Sequence, residues 1–281
     1  MKNGIVLLLV LLAVFIILPS CNYHDEPLPA EPANLPEISE PPKEAEAQPS
    51  DTWLSLKSVQ NARQLGGNPT RSNRVVKHNA ILRTGELGFS TNEDKDLLVN
   101  RYMLAHIIDL RDEVEASDNP DPVIEGVEYH HLIVWPRAVR IQLILDSTSD
   151  LGIVDPELYS INYYTEFALG DAAIEAYRNM FNVLLNNQSG SVLIHCMYGK
   201  DRSGIAVALI LSALDVEWDV IEQEYLLSNV SDARSVDISL LRFYKSIIEE
   251  NYGSIEKYLE VEMGLDENDI AALREKYTIT V

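Results

Sequence analysis

Hydrophobic and polar positions along this chain switch between two periods, and the switches mark its elements. Ser191 to His195 (SVLIH) is a short apolar run, and it reads as a buried strand. Ser203 to Leu214 (SGIAVALILSAL) is longer and apolar, and it reads as a helix. Upstream, Ser90-Thr91-Asn92-Glu93 has the form of a capping box opening a helix toward Tyr102, followed by a strand over Ala105 to Leu110. A second strand is expected over Tyr129 to Val134, and a helix over Asp171 to Leu185. The stretch from Leu158 to Tyr164 carries Tyr159, Tyr163 and Tyr164, which read as core or lid packing, with stacking on a substrate ring as the alternative. Beyond the apolar helix, Glu217 to Ser228, Val236 to Glu250, Ile255 to Glu260 and Asp266 to Lys276 are all expected to be helical. Strands alternating with helices predict an α/β domain over residues 51–281, a central sheet flanked by helices with a helical C-terminal part.

The first fifty residues follow other rules. Residues 1–21 combine a short basic start at Lys2, an uninterrupted apolar stretch from Ile5 to Leu18, and Leu18-Pro19-Ser20-Cys21 at its end. This reads as an export signal, and its end resembles the bacterial lipobox, in which the cysteine becomes the lipidated N-terminus. An uncleaved anchor helix is the alternative, although the apolar stretch is short for a full span. Residues 22–50 hold seven prolines and seven acids with few large apolar side chains, so they cannot bury a core and read as a disordered linker. Extended as polyproline, such a linker reaches roughly 90 Å. The expected localisation is therefore extracytoplasmic, with the domain tethered to a bacterial membrane through lipid on Cys21.

Charge and cysteine usage narrow the function. The 281 residues carry a formal net charge of −22, which rules out general attraction to nucleic acid and requires any anionic substrate to be drawn by a local site. Cys21 and Cys196 are the two cysteines, so with Cys21 lipidated no internal disulfide is available and Cys196 reads as a working thiol. His130 and His131 fall on opposite faces of a strand and read as ordinary strand histidines; no cofactor and no metal are expected.

The chemistry concentrates in His195-Cys196-Met197-Tyr198-Gly199-Lys200-Asp201-Arg202-Ser203-Gly204, the turn from the SVLIH strand into the apolar helix. Such a turn aims backbone N–H groups inward ahead of a helix N-terminus, which cradles an anion. Cys196, beside a helix start and a cation, is placed to be a thiolate nucleophile. Arg202 can grip two phosphoryl oxygens in a bidentate fork, Gly199 permits the tight turn, and Ser203 can hydrogen-bond the sulfur as it leaves. Met197, Tyr198, Lys200 and Gly204 complete the substrate-binding loop; Lys200 is either a second cation near the mouth or solvent-facing charge. His195 is expected to fix the loop by hydrogen bonds rather than to take the proton. As the other functional class, the same cradle without an acid would be a catalytically silent phosphate-binding module.

These ten residues resemble the loop of the Cys-based protein tyrosine phosphatase superfamily. The Gly-Lys-Asp-Arg run is similar to an atypical bacterial subgroup that acts on phosphotyrosine and on phosphoinositides. Asn61-Ala62-Arg63-Gln64-Leu65-Gly66-Gly67, Leu82-Arg83-Thr84-Gly85-Glu86-Leu87, Ile107-Ile108-Asp109-Leu110-Arg111 and Tyr225-Leu226-Leu227-Ser228-Asn229 resemble further elements of that subgroup. The resemblance implies a phosphatase-like sheet and hydrolysis of phosphomonoesters through a phosphocysteine, with phosphorylated protein first and inositol phosphates second as substrates. Where many tyrosine phosphatases carry Trp-Pro-Asp, this chain has Trp135-Pro136-Arg137, read either as an aromatic anchor or as a mobile lid. The missing acid is best replaced by Asp201 within the loop, with Asp109 at a strand end as the second candidate. Arg63, Arg83 and Arg111 either converge on the cleft or pair with acids of this acidic chain.

Overall fold

The structure, a computed structural model, describes residues 52–149, 151–231 and 235–280. The expected signal segment 1–21 with its Cys21, and the linker 22–50, lie outside the described residues.

Short β-rich runs build a sheet from β1 (Arg63–Gln64), β3 (Ile81–Thr84), β4 (Leu104–Asp109), β5 (Glu128–His131) and β6 (Ser191–His195), in the spatial order β1, β3, β6, β4, β5. All neighbours are parallel except β1 and β3. A separate antiparallel ribbon joins β2 (Arg74–Val76) to β7 (Thr278–Thr280) and ties the C-terminal end to the start of the domain. Alternation sorts the central strands' side chains onto two faces. Ile81, Ile108, Val192 and Ile194 enter the larger core, whereas Leu82, Ile107 and Leu193 enter a smaller one with Leu98 and Tyr102.

The connections are mostly helical: α1 (Asn92–Asn100), α2 (Glu113–Asp118), α3 (Arg137–Asp146), α4 (Pro156–Leu169) and α5 (Asp171–Asn186) precede β6. After it come α6 (Asp201–Ala213), α7 (Trp218–Leu226), a 3₁₀ turn over Leu227–Asn229, α8 (Ile238–Tyr252), α9 (Ile255–Val261) and α10 (Glu267–Tyr277). Burial of α6 runs along its length, from Arg202 to Ala213, which is why its sequence is apolar all round rather than striped.

Several expectations shift. The capping box of α1 sits one residue later than expected, with Thr91 as cap and Asp94 answering it, because the Thr91 hydroxyl accepts from the Asp94 amide while the Asp94 carboxylate accepts from the Thr91 amide. The strand expected over Tyr129 to Val134 is displaced to Glu128–His131. Its pairing ends where the Leu132 amide donates to the Asp109 carbonyl and the chain turns in to bury Val134 and Trp135. The tyrosine-rich stretch is the middle of α4, whose start is marked by Asp155 as cap and Pro156 in the first turn. Strands β1, β2 and β3, helices α2, α3 and α4, and β7 have no counterpart among the elements expected from periodicity.

Candidate active site

β6 delivers Cys196 to the floor of a loop that enters α6, and the loop's shape follows from where its carbonyls go. Leu110 N–H donates to the His195 carbonyl at 2.9 Å, and Glu86 N–H to the Met197 carbonyl at 3.1 Å. The Asn61 side-chain amide donates to the carbonyls of Tyr198 at 3.3 Å and Gly199 at 2.8 Å. Arg83 adds bonds to the carbonyls of Gly199 at 2.7 Å and Lys200 at 3.3 Å. The Cys196 carbonyl faces His195 Nδ1 at 3.3 Å. Every carbonyl from His195 to Lys200 is thus held from outside. No peptide bond here is cis, so the N–H groups on the opposite edges of those peptides turn to the loop's interior. The start of α6 has no side-chain cap, unlike α1, α2, α4, α8, α9 and α10, which leaves its first amides open to an anion.

Two glycines are required sterically. Gly199 has φ +64°, and a Cβ there would lie 2.4 Å from the Thr84 carbonyl oxygen. At Gly204 a Cβ would come within 2.7 Å of the Tyr225 ring.

Arg202 folds back from the first turn of α6. Glu115 takes its Nη1 at 2.5 Å and its Nη2 at 3.2 Å, while its Nε is buried and unpartnered. Glu115 is fixed in turn by the Asp112 amide and by Arg140, whose Nη1 also meets Asp112 at 3.1 Å. Burial disfavours the ionised forms of Cys196 and Arg202, and mutual attraction outweighs it. The Cys196 thiol is pulled below its ordinary value by Arg202 and by the Ser203 hydroxyl and amide. Arg202 is held above its own by the Cys196 thiolate and by Glu115. The Ser203 hydroxyl is buried with no protein hydrogen bond of its own, so the sulfur anion is the acceptor it serves.

Asp201 accepts from the Tyr164 hydroxyl at 2.7 Å, which itself meets the Tyr225 hydroxyl at 2.7 Å. Tyr163 packs elsewhere, against Trp135 with ring centroids 4.3 Å apart and against Phe167 at 4.2 Å. Trp135 is buried in this aromatic group with Arg140 over its ring, and Pro136 caps α3, so this tryptophan is an anchor. Lys200 is largely buried, and its Nζ donates to the Ser235 carbonyl at 2.6 Å. Asp109 is engaged by Arg111 through Nη2 at 2.8 Å and by the Tyr129 hydroxyl at 2.8 Å. Despite full burial, the charges of His195 and Arg111 hold Asp109 far below the carboxylate range, so it carries no proton to donate near neutral pH. His195 is buried with Nε2 2.6 Å from Asp121, and its value is raised, against burial, by Asp109 and Asp121.

Arg63, Arg83 and Arg111 all pair with acids behind the loop rather than converging on the cleft. Sequence reasoning missed Glu115 and Arg140, and it read Tyr164 as core, lid or stacking rather than as the partner of Asp201. The Asp112-x-x-Glu115 spacing was a legible capping box, but Glu115's reach to Arg202 is tertiary.

Residues 54–279 match the model of the tyrosine phosphatase family. The chain belongs to that family. By membership it is a Cys-dependent phosphomonoesterase. A Cupriavidus necator protein that bears a provisional tyrosine-protein phosphatase name is 26% identical over 254 residues, covering 80% of this chain and 88% of that protein. The triple specificity protein phosphatase PtpB of Mycobacterium tuberculosis is 27% identical over 182 residues, covering 57% of this chain and 63% of PtpB. The core catalytic domain of the PP-IP phosphatase SIW14 from S. cerevisiae, solved with citrate, aligns with a TM-score of 0.36 at 18% identity, over 70% of this chain and 96% of that domain.

Proposed function

We propose that this phosphatase hydrolyses phosphotyrosine through a phosphocysteine at Cys196, with Asp201 as the general acid. The observation that carries this reading is the pairing of a depressed thiol with the buried, unpartnered Nε of Arg202 at an uncapped helix start. The Cys196 sulfur attacks phosphorus, and the S–P bond forms as the ester P–O bond breaks. The loop amides and Arg202 share the charge spread over the equatorial oxygens. Asp201, steadied by Tyr164, delivers its proton to the departing oxygen. Water then breaks the S–P bond, its proton returning to Asp201, and Ser203 stabilises the sulfur released as thiolate. The Lys200 ammonium is engaged by the Ser235 carbonyl, which supports a substrate with one phosphate over a polyphosphorylated inositol.

The domain is proposed to work outside the cytoplasm, tethered through lipid on Cys21. The apolar stretch and the cysteine that ends it support this. Among the described residues no helix is long and apolar enough to cross a membrane.

The test is hydrolysis in the presence of a chelator, blocked by vanadate, compared across a phosphotyrosyl peptide, a phosphoseryl peptide and inositol phosphates. The phosphotyrosyl peptide should have the highest kcat/KM. Faster turnover of an inositol phosphate would reverse the substrate assignment, and no turnover of any substrate would leave only the phosphate-binding module. Asp201→Asn should slow alkyl phosphates more than p-nitrophenyl phosphate, whose leaving group needs little protonation. An equal loss would remove Asp201 from the acid role.

A further inference from the structure

Strands β4 and β5 pair in parallel with His106 opposite Glu128 and Ile108 opposite His130. Alternation puts Glu128 and His130 on one face of β5, and the register places His106 on that same face. The side chains meet. His106 Nδ1 lies 3.2 Å from His130 Nε2 and 3.6 Å from a Glu128 oxygen, which is 3.8 Å from His130 Nε2. Three donor atoms therefore form a nearly regular triangle within 4.8 Å. A tetrahedral zinc ion with bonds of about 2.0–2.1 Å requires donors about 3.3–3.4 Å apart, so the triangle is within a small rotation of Glu128 from closing on one.

A plain hydrogen bond between the imidazoles would account for the 3.2 Å contact alone. It leaves unexplained why the carboxylate stands nearly equidistant from both rings, beyond hydrogen-bond length from either. No lysine or arginine pairs with Glu128 among the described residues. The other cluster of this kind, Asp109, Asp121 and His195, already holds the Arg111 guanidinium among its carboxylates. The triad also opens into a cavity of about 670 Å³ lined by Asn179, Asn182 and Gln188. Side-chain exposures of 14% for His106 and 26% for His130 against 72% for Glu128 mean that two ligands are preset and the third faces water.

We propose that His106, Glu128 and His130 form a binding site for a zinc-class divalent cation, with its fourth position open to the cavity. Two imidazoles and one carboxylate suit borderline transition ions and not magnesium or calcium, which prefer all-oxygen shells. The ion would pin edge strand β5 to β4 and so fix the segment leading to Trp135 and to α3, which carries Arg140. This proposal is independent of the assignment at Cys196.

Chelator-treated full-length protein should be titrated with Co²⁺, followed by its visible absorption, and then with Zn²⁺ in competition. The expected result is one equivalent bound in the wild type and in Cys196→Ser, with affinity falling at least about tenfold in both His106→Ala and Glu128→Gln. Zn²⁺ should also raise the unfolding midpoint of the wild type by more than that of Glu128→Gln at the same metal concentration. Because Glu128 is a largely exposed side chain, its glutamine variant keeps the test valid if His106→Ala fails to fold. Absence of stoichiometric binding, equal affinity in Glu128→Gln, or loss of binding in Cys196→Ser would overturn the proposal.

Discussion

The two walls that support the phosphate loop carry opposite charge balances. On the β3 side, two buried arginines, Arg63 and Arg83, share one buried carboxylate, Glu224. On the β4 side, one arginine, Arg111, is surrounded by Asp109, Asp121 and Glu86, with His195 beside them. The arginine-rich wall has donors to spare, and it spends them on the loop: Arg83 takes the carbonyls of Gly199 and Lys200, and Arg63 takes the Asn61 side-chain oxygen and so orients that amide. The acid-rich wall spends its surplus on cations: Asp109 and Asp121 raise His195 against its burial, with Nε2 2.6 Å from Asp121 and Nδ1 3.3 Å from the Cys196 carbonyl. The lesson is that the loop's inward amides are set by outward donors on both sides. The pairing of Arg63 and Arg83 is costly in itself, since burial and the charge of Arg83 push Arg63 down to about 10 even with Glu224 in contact.

Removing the shared carboxylate should break this arrangement most severely. Glu224→Gln leaves two buried guanidiniums without a counter-charge, and urea unfolding should show a loss of about 3–5 kcal/mol. A loss under about 1 kcal/mol would mean that loop carbonyls alone neutralise that wall. Next, Arg83→Met keeps the Arg63–Glu224 pair but frees the Gly199 and Lys200 carbonyls. Its kcat should fall on the order of 100-fold while fold stability changes less than in Glu224→Gln. Comparable kcat in the two proteins would show that the carbonyl clamp is not what shapes the loop.

Asp121→Asn on the acid-rich wall should cost only a few-fold in kcat, since Asp109 still holds Arg111. Its signature is in pH dependence. His195 is raised in the folded state, so its stabilising share is fully present below the unfolded histidine value of about 6.5 and is lost as pH rises through the folded value. Unfolding free energy measured against pH should show that step in the wild type, moved to lower pH in Asp121→Asn. An unmoved step would assign it to another group. The smallest effect is expected for Ser203→Ala, which removes one of three stabilisers of the sulfur. The alkylation rate of Cys196 against pH should give a midpoint higher than in the wild type, though still below that of a free thiol because Arg202 remains.

Much of this site was legible because its parts are contiguous. From His195 to Gly204, the residue order itself sets the loop, the nucleophile, the positive-φ glycine and the arginine that folds back. The central strands β4 and β6 and the helices from α5 onward were legible for a related reason: their apolar runs are contiguous, and α8, α9 and α10 open on the caps Asp237, Ser254 and Asp266. What periodicity could not give was non-local. Arg63, Arg83 and Arg111 look like substrate ligands in one dimension, and only the sheet order places each against a carboxylate far along the chain, as at Glu224. Strands β1 and β3 are too short for an alternation signal and hold buried arginines where a strand pattern would want apolar residues. His106 and His130 lie 24 positions apart and become neighbours only through the β4–β5 register.

The central claim is that the Cys196 sulfur, held as an anion by Arg202 and the loop, attacks phosphorus. Rapid acid quench during turnover of a ³²P-labelled phosphotyrosyl peptide, followed by peptide mapping, tests it most directly. The account predicts a thiophosphate on the peptide containing Cys196, absent in Cys196→Ser, with that variant still binding vanadate. Label on a different residue, or turnover surviving in Cys196→Ser, would contradict it.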